Sequence, residues 1–91
     1  MPIHKLSVVT VCYNPGPILV EAIRSVQAQD FADVEHVIID GGSTDGTPDR
    51  VAPLLRAGDV FVSESDKGIY DAMNKGIARA GGDAIALLNA D

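Results

Sequence analysis

Near the middle of the chain runs the stretch Val37-Ile38-Ile39-Asp40-Gly41-Gly42-Ser43-Thr44-Asp45-Gly46-Thr47, in which an apolar run meets a glycine-rich turn. The run is β-branched and nearly continuous in hydrophobicity, which is typical of a strand buried on both faces of a parallel sheet. Thr47 and Pro48 match an N-cap and a first helical residue. The stretch therefore predicts a strand, a turn and a helix in succession, the repeating unit of an α/β fold.

The rest of the chain repeats this pattern. Four strands are predicted, over Leu6–Cys12, Val34–Asp40, Asp59–Ser63 and Ala84–Leu88. Three helices are predicted between them, over Gly16–Gln29, from Thr47 to a stop at Gly58, and over Gly68–Ala80. Pro53 removes a backbone donor and should kink or shorten the second helix. The order β-α-β-α-β-α-β predicts a three-layer, Rossmann-like domain with helices on both faces of a parallel sheet.

Apolar spacing also predicts which helix faces are buried. In the first helix the inward stripe is expected to comprise Ile18, Leu19, Ala22, Ile23 and Val26. In the third helix the inward residues are expected to be Ile69, Met73, Ile77 and Ala80, with Gly81-Gly82 ending the helix. Gly76 costs about 1 kcal/mol in a helix interior relative to Ala, which suggests tight packing against a strand.

Composition narrows the class of protein. The 91 residues carry a formal net charge of −6 and no cluster of Lys or Arg, which disfavours a nucleic-acid binder. The single Cys12 excludes an internal disulfide, and no run approaches the roughly 20 apolar residues of a membrane span. We expect a cytoplasmic location, peripheral to the inner face of the membrane in a full-length protein.

Polar residues cluster where each predicted strand ends. The clusters are Tyr13-Asn14, Asp40 to Asp45, Glu64 to Lys67 and Asn89 to Asp91. In open parallel sheets ligands bind at the carboxyl ends of the strands, so these four tips predict one site. Neither the dinucleotide pattern G-x-G-x-x-G nor the phosphate loop G-x-x-x-x-G-K-[ST] occurs, which argues against dinucleotide enzymes and the usual NTPases.

Individual residues at these tips allow both a functional and a structural interpretation. Asp40 can accept hydrogen bonds from a ribose or a base edge, or it can belong to a turn that caps the next helix. Asp45 fits the structural role better. Asp71 and Asn74 lie three apart, on one face of the third helix, where acidic residues also complement the helix dipole. Asp91 offers an oxygen ligand of the kind that Mg²⁺ and Mn²⁺ prefer.

Taken together, four segments resemble the family 2 glycosyltransferases with a GT-A fold, in order and spacing over nearly the whole chain. They are Leu6-Ser7-Val8-Val9-Thr10-Val11-Cys12-Tyr13-Asn14, the stretch from Val37 to Thr47, Asp66-Lys67-Gly68-Ile69-Tyr70-Asp71-Ala72-Met73-Asn74-Lys75-Gly76, and Leu87-Leu88-Asn89-Ala90-Asp91. The resemblance implies a four-stranded parallel sheet in the order 3-2-1-4. It also implies a nucleotide-diphosphate sugar as donor and a divalent metal, Mn²⁺ or Mg²⁺, as cofactor.

The resemblance further implies roles for particular residues. Asn89-Ala90-Asp91 falls where the family keeps its D-x-D motif, so Asp91 is implied to bind the metal, while Asn89 brings no charge. The general base of this family lies in a later, acceptor-binding part, and no residue here is assigned that role. The donor nucleotide-binding residues implied are Tyr13, Asn14, Asp40, Asp71, Asn74 and Asn89.

We therefore expect residues 1–91 to form the donor-binding part of a truncated glycosyltransferase domain, without the part that binds a saccharide or lipid-linked acceptor. The activity implied is an inverting transfer from a donor that we expect to be UDP-linked. Ending at Asp91 leaves Ala84–Leu88 as an apolar sheet edge, so we expect self-association through that edge. Two other interpretations stay open, a non-catalytic nucleotide-binding module and a small interaction protein with a flavodoxin-like sheet.

Overall fold

The computed structural model describes residues 5–29 and 33–89, and for Asn89 the backbone alone. Every predicted strand and helix is present in it. The elements are β1 (Leu6–Cys12), α1 (Pro17–Gln27), β2 (Val34–Asp40), α2 (Thr47–Val51), a 3-10 turn (Ala52–Leu54), β3 (Val60–Ser63), α3 (Ile69–Arg79) and β4 (Ala84–Asn89). Their ends agree with the sequence-based boundaries to within two residues, apart from the end of the second helix.

The four strands form one parallel sheet in the order β3-β2-β1-β4, as predicted. β1 pairs with β2 along its whole length, from Leu6 opposite Val34 to Cys12 opposite Asp40. On its other side β1 pairs with β4, and Val11 lies opposite Asn89. Consequently the carboxyl ends of the two central strands and of β4 meet at the same edge of the sheet.

Helices cover both faces of the sheet and create two apolar cores. In one core, residues of α1 and α2 pack against one face of β1 and β2. This core contains Cys12, Leu19, Ile23, Ile38 and Val51. The other lies under α3 and contains Val9, Val11, Val37, Ile39 and Ala72. Because β1 and β2 contribute to both cores, their near-continuous hydrophobicity is explained by burial on both faces.

The prediction for the buried face of α3 was wrong for Ile69 and Ile77, whereas Met73 and Ala80 pack against the core as predicted. Ile69 and Ile77 are 48% and 44% exposed, whereas Ala72 and Gly76 are the buried residues of this helix. A Cβ at Gly76 would overlap the Val9 side chain of β1, so α3 packs closely on the sheet through its small residues. The close approach of the α3 backbone to the sheet thus decides which face of this helix is buried. The spacing of its large apolar residues predicts a different face. In α1 the stripe is confirmed for Leu19, Ile23 and Val26, but Ile18 is exposed.

The second helix also differs from its prediction. Gly46, with a left-handed φ of 85°, occupies the N-cap position, and Thr47 is a buried first residue of the helix. The helix is short as Pro53 predicted, since it ends at Val51 and continues as the 3-10 turn. Gly58 does not end the helix but lies in the turn before β3, with a φ of 91°.

β4 is an edge strand in the part of the chain that the structure describes, as expected. The expectation that it is buried on both faces was wrong, because Ile85 and Leu87 are 44% and 54% exposed. Over residues 5–29 and 33–89, we found no helix long and apolar enough to cross a membrane.

Candidate functional site

A cleft of about 560 Å³ opens at the carboxyl end of β1, between the strand tips and the start of α3. β1 and the residue after it contribute to one wall, and the segment between β3 and α3 contributes to the other. The described residues that line it are Val11, Cys12, Tyr13, Gly41, Ser65, Asp66, Gly68, Ile69 and Ala72. The cleft therefore lies at the edge of the sheet where the sequence predicted a site.

Tyr13 contributes the aromatic surface of this cleft. The residue is 63% exposed and lines the cleft, so its ring is accessible to a planar ligand. A Cβ at Gly41 would lie 3.5 Å from the Tyr13 Cδ1 atom and 3.1 Å from the Asp66 Oδ2 atom. The missing side chain at Gly41 thus leaves room for both the Tyr13 ring and the Asp66 carboxylate beside it.

Asp40 is fully buried and lies behind the cleft instead of lining it. Its Oδ1 accepts hydrogen bonds from the Ser43 hydroxyl and the Cys12 thiol. Its Oδ2 accepts bonds from the Ser43 backbone N–H at 2.8 Å and from the Ser63 hydroxyl at 2.7 Å. Both oxygens are therefore occupied by groups that join the tips of β1, β2 and β3. Its contact with a nucleotide stays a prediction, because a ligand would have to displace one of these donors.

The same network sets the ionisation of its members. Burial opposes the charged form of Asp40, but the hydrogen bonds from Ser43, Ser63 and Cys12 outweigh it and lower the pKa of this carboxyl. For Cys12, burial raises the pKa of the thiol strongly, and the Asp40 charge adds to that effect. A thiol held protonated in this way is a poor nucleophile, in agreement with a structural role for Cys12.

Asn14 and Asp45 connect neighbouring tips of the sheet. The Asn14 backbone N–H donates to the Ser43 hydroxyl at 2.7 Å, and its side-chain oxygen accepts from the Thr44 N–H at 2.8 Å. Asp45 accepts from the Gly16 N–H at 3.0 Å and from the backbone and hydroxyl of Thr47. Asp45 therefore has the structural role that the sequence favoured. For Asn14 a contact with the donor stays a prediction, since its carboxamide oxygen is bonded to the protein.

Asp71 and Asn74 are on α3, and neither is among the described residues that line the cleft. Asp71 accepts the Lys67 backbone N–H at 2.9 Å and lies 3.7 Å from the Lys75 Nζ. That backbone bond is the main reason why the pKa of Asp71 is lowered, with help from Lys75 and Lys67. Asp71 thus secures the loop at the start of the helix, while Asn74 is exposed. Their roles toward a nucleotide stay predictions.

The implied metal ligand, Asp91, lies outside the described residues, as does the side chain of Asn89. No group of three or more His, Cys, Asp or Glu side chains that could hold a metal occurs in the described ranges. The register of β4, with Asn89 opposite Val11, does bring the end of this strand beside the tip of β1 and the cleft. A carboxylate from position 91 has the oxygen chemistry that a hard divalent cation prefers, so the residue type fits such a metal.

Sequence reasoning missed Asp66 as an individual residue of the site. It lies in the segment after β3 that is unusual in the sequence, but the helical spacing of Asp71 and Asn74 drew the assignment to α3. Its position next to a strand end, two residues before Gly68, was the available signal. Contact with Gly41, which is 25 positions away along the chain, could not be read from that spacing.

Parallel strands, covering helices and a cleft at the strand ends define this protein as a three-layer, Rossmann-like α/β domain. The sequence profile described as Glycosyl transferase family 2 matches residues 7–91. The chain is also 43% identical over 88 residues to an uncharacterised glycosyltransferase of Mycobacterium tuberculosis, covering 92% of this chain and 32% of that protein. The chain belongs to glycosyltransferase family 2.

Solved structures agree with this assignment. A mannosyltransferase from Pyrobaculum calidifontis, in complex with GDP-Man and Mn²⁺, superposes with a TM-score of 0.84 at 27% identity, over 100% of this chain and 28% of that one. Glucosyl-3-phosphoglycerate synthase from Mycobacterium tuberculosis, in complex with Mn²⁺, UDP and glucosyl-3-phosphoglycerate, gives 0.79 at 25% identity, over 97% and 34%. The chain spans about a third of the length of the curated relatives it matches.

Proposed function

We propose that this chain is the donor-binding part of an inverting glycosyltransferase, which transfers a sugar from a UDP-linked donor to an acceptor hydroxyl. The acceptor is a saccharide or a lipid-linked molecule, bound mainly by another part of the protein. The reaction takes place in the cytoplasm, at the inner face of the membrane where the acceptor is lipid-linked.

The observation that carries this proposal is the cleft at the strand tips, in a chain that belongs to glycosyltransferase family 2. Its size suits a nucleoside, since small-ligand pockets commonly measure about 300–1,000 Å³. Two structural neighbours hold GDP-Man and UDP, each together with Mn²⁺, which supports a nucleoside-diphosphate sugar and a divalent cation for this chain. Tyr13 would bind the base, and Asp91 would bind the cation.

The chemistry follows from the charge that develops during transfer. When the anomeric C–O bond breaks, the diphosphate leaves with the bonding electrons and gains negative charge. A divalent cation, when bound, would stabilise that charge as a Lewis acid. The residues of this chain contribute binding and orientation, since the Tyr13 ring and the strand tips hold the donor next to the acceptor. A general base from another part of the protein would accept the proton of the acceptor hydroxyl.

Calorimetric titration of the full-length gene product with UDP, GDP and dTDP, with and without Mn²⁺, tests the proposal. We expect UDP to bind and Mn²⁺ to raise its affinity by tenfold or more, about 1.4 kcal/mol. Asp91→Ala should abolish the effect of Mn²⁺ because it removes the proposed ligand. Asp49→Asn is the matched control, since Asp49 is an exposed acid on α2, away from the cleft.

The outcomes separate the three interpretations. Metal-dependent binding with release of sugar from UDP-linked donors supports the transferase. Binding without turnover in the full-length product would favour a non-catalytic nucleotide-binding module. A folded product that binds none of the three nucleotides would contradict the proposal and favour an interaction protein.

A further inference from the structure

The segment between β3 and α3, residues 64–68, contributes to one wall of the cleft without any apolar side chain to anchor it. Its residues are Glu64, Ser65, Asp66, Lys67 and Gly68, of which only Asp66 is not exposed. Backbone hydrogen bonds secure the two ends, since the Glu64 N–H donates to the Asp40 carbonyl at 3.0 Å and the Gly68 carbonyl accepts the Ala72 N–H at 3.1 Å. In the absence of apolar packing, the conformation between these ends depends on polar contacts.

Lys75 of α3 makes such contacts with the segment. Its Nζ donates to the Ser65 carbonyl at 3.2 Å and lies 3.2 Å from the Glu64 Oε1. The same Nζ lies 3.7 Å from the Asp71 Oδ2, and that oxygen accepts the Lys67 backbone N–H at 2.9 Å. Lys75 therefore reaches the first half of the segment directly and the second half through Asp71.

Lys75 acts on the cleft through these contacts and not by lining it. It is not among the described residues that line the cleft, and three protein oxygens surround its ammonium. Its side chain is 21% exposed, and a partly buried charge is screened less by water and salt than a fully exposed one. Without this ammonium, the carboxylates of Glu64 and Asp71 would lose their shared cation, and the segment would populate other conformations.

We propose that Lys75 is a positioning residue, which raises the affinity for the donor by holding residues 64–68 in the conformation that forms the cleft wall. This inference rests on the proposed donor-binding function. If the wall is in place in only a fraction of the molecules, the apparent dissociation constant is the intrinsic constant divided by that fraction. Lys75 raises the fraction before the donor arrives. A saturating donor can impose the same order, so KM depends on Lys75 more than kcat does.

Calorimetric titration of the full-length gene product with UDP, in the presence of Mn²⁺, tests this inference. Lys75→Met keeps an apolar stem but removes the ammonium, and we expect it to raise the Kd for UDP by about three- to tenfold. Lys75→Arg supplies a cation with several N–H donors for the same oxygens, so its Kd should stay within about twofold of that of the unaltered protein. Arg79→Met is the matched control, because Arg79 is an exposed cation one turn further along α3 that bonds to the Lys75 backbone carbonyl.

Steady-state kinetics separates positioning from a general loss of stability. With a UDP-linked donor that the unaltered enzyme uses, Lys75→Met should raise the KM by the same factor as the Kd. The value of kcat at saturating donor should stay within about twofold, since the substitution removes order that the bound donor restores. Partial unfolding would instead lower kcat and leave KM unchanged, because unfolded molecules do not contribute to the rate.

Hydrogen exchange locates the effect in the chain. In Lys75→Met the amides of residues 65–68 should exchange faster than in the unaltered protein, while those of β1 and β2 keep their rates. UDP should slow the exchange of this segment again, because coupling between order and binding is reciprocal. Lys75→Gln, which keeps an amide donor without the charge, is the second variant if Lys75→Met does not fold, and it should also weaken UDP binding.

The outcomes distinguish this inference from the proposed function. If the unaltered protein binds UDP and the Met and Gln variants bind it equally well, the positioning role is wrong and the donor-binding function stands. The role is also wrong if kcat falls while KM is unchanged, or if Lys75→Arg weakens binding as much as Lys75→Met does. If the unaltered protein binds no nucleotide, the proposed function fails, and the role of Lys75 fails with it.

Discussion

Three buried ionisable side chains differ in how completely the protein supplies them with hydrogen-bond partners. Asp40 receives four hydrogen bonds at the tips of the strands, and Glu35 at the opposite end of β2 is bonded by the Ser7 hydroxyl and the Gly81 N–H. His36 shares a 2.7 Å hydrogen bond between its Nε2 and the Thr10 hydroxyl, but its Nδ1 has no partner within the described residues. The hydrogen bonds therefore favour the charged forms of the two acids, whereas burial favours the neutral form of the histidine.

The neutral state of His36 predicts a pH dependence of stability. Burial lowers the pKa of this imidazole from 6.5 to about 4, with a smaller opposing effect of Asp59 and a reinforcing one of Arg56. Between these values the unfolded chain binds a proton that the folded chain does not, so stability falls as the pH decreases from about 6.5 toward 4. We expect a loss of about 1 kcal/mol between pH 7.5 and 5.5, measured by urea denaturation.

His36→Gln is the comparison variant for that measurement. Its side chain can still bond to Thr10, but it does not titrate. The pH dependence of the difference in unfolding free energy between the two proteins isolates the contribution of His36 from that of other groups. A constant difference across pH 7.5 to 5.5 would show that His36 titrates alike in the folded and unfolded chains.

At the level of elements, the packing of α3 on β1 determines the position of the cleft wall that α3 contributes. Gly76 lies against Val9, and Ala72 from the same face belongs to the core beneath the cleft. Lys75, which directly precedes Gly76, donates to the Ser65 carbonyl at 3.2 Å and pairs with Glu64 at 3.2 Å. The close packing of this helix and the Lys75 contacts together position the segment that carries Asp66.

Gly76→Ala should destabilise the protein despite the better helix propensity of alanine. Propensity alone favours the substitution by about 1 kcal/mol. The added Cβ would overlap the Val9 side chain, and forcing extra atoms into a packed core costs roughly 1–3 kcal/mol or more. We expect a net loss of about 1–2 kcal/mol in the unfolding free energy, measured by urea denaturation.

A double-mutant cycle supplies the control for this prediction. Val9→Ala removes the overlapping atoms, so Gly76→Ala should cost less in that background than in the unaltered protein. Additive effects of the two substitutions would mean that the helix moves away from Val9, and the close contact would then not be what orients α3.

On the scale of the whole molecule, an exposed apolar groove lies between α3 and the edge of the sheet. Ile69, Tyr70, Met73 and Leu87 surround a groove of about 340 Å³, and Tyr70 and Leu87 are 79% and 54% exposed. The groove borders β4, the edge strand, which can pair with another strand. Because exposed apolar side chains lie next to an unpaired strand edge, this surface favours association between copies of the chain.

We therefore predict that a polypeptide limited to residues 1–91 self-associates through β4. Sedimentation velocity over a range of micromolar concentrations should show dimers or larger species, and Leu87→Lys should shift the distribution toward monomer by placing a charge in the contact. Ile18→Lys is the matched control, because Ile18 is a comparably exposed apolar residue on α1. A monomeric chain with one cooperative unfolding transition in dilute solution would contradict the prediction.

Local signals in the sequence determined the strands, the helices and their order. β-branched runs such as Val34–Asp40 report burial on both faces, Pro53 limits the second helix, and the length of each connection allows only parallel crossovers. The position of the site at the strand tips followed from the same topology. These properties depend on neighbours within a few residues, which is why they could be predicted.

Only the tertiary structure decided which side chains face the core and which face the cleft. Two small residues, Ala72 and Gly76, turn α3 so that Ile69 and Ile77 are exposed, because close backbone packing outweighs apolar spacing. Asp40 is enclosed by donors from three strand tips, while Asp66 reaches Gly41 across the fold. Apart from the bonds from nearby Ser43, these contacts join residues more than 20 positions apart, and their geometry depends on packing that no local pattern records.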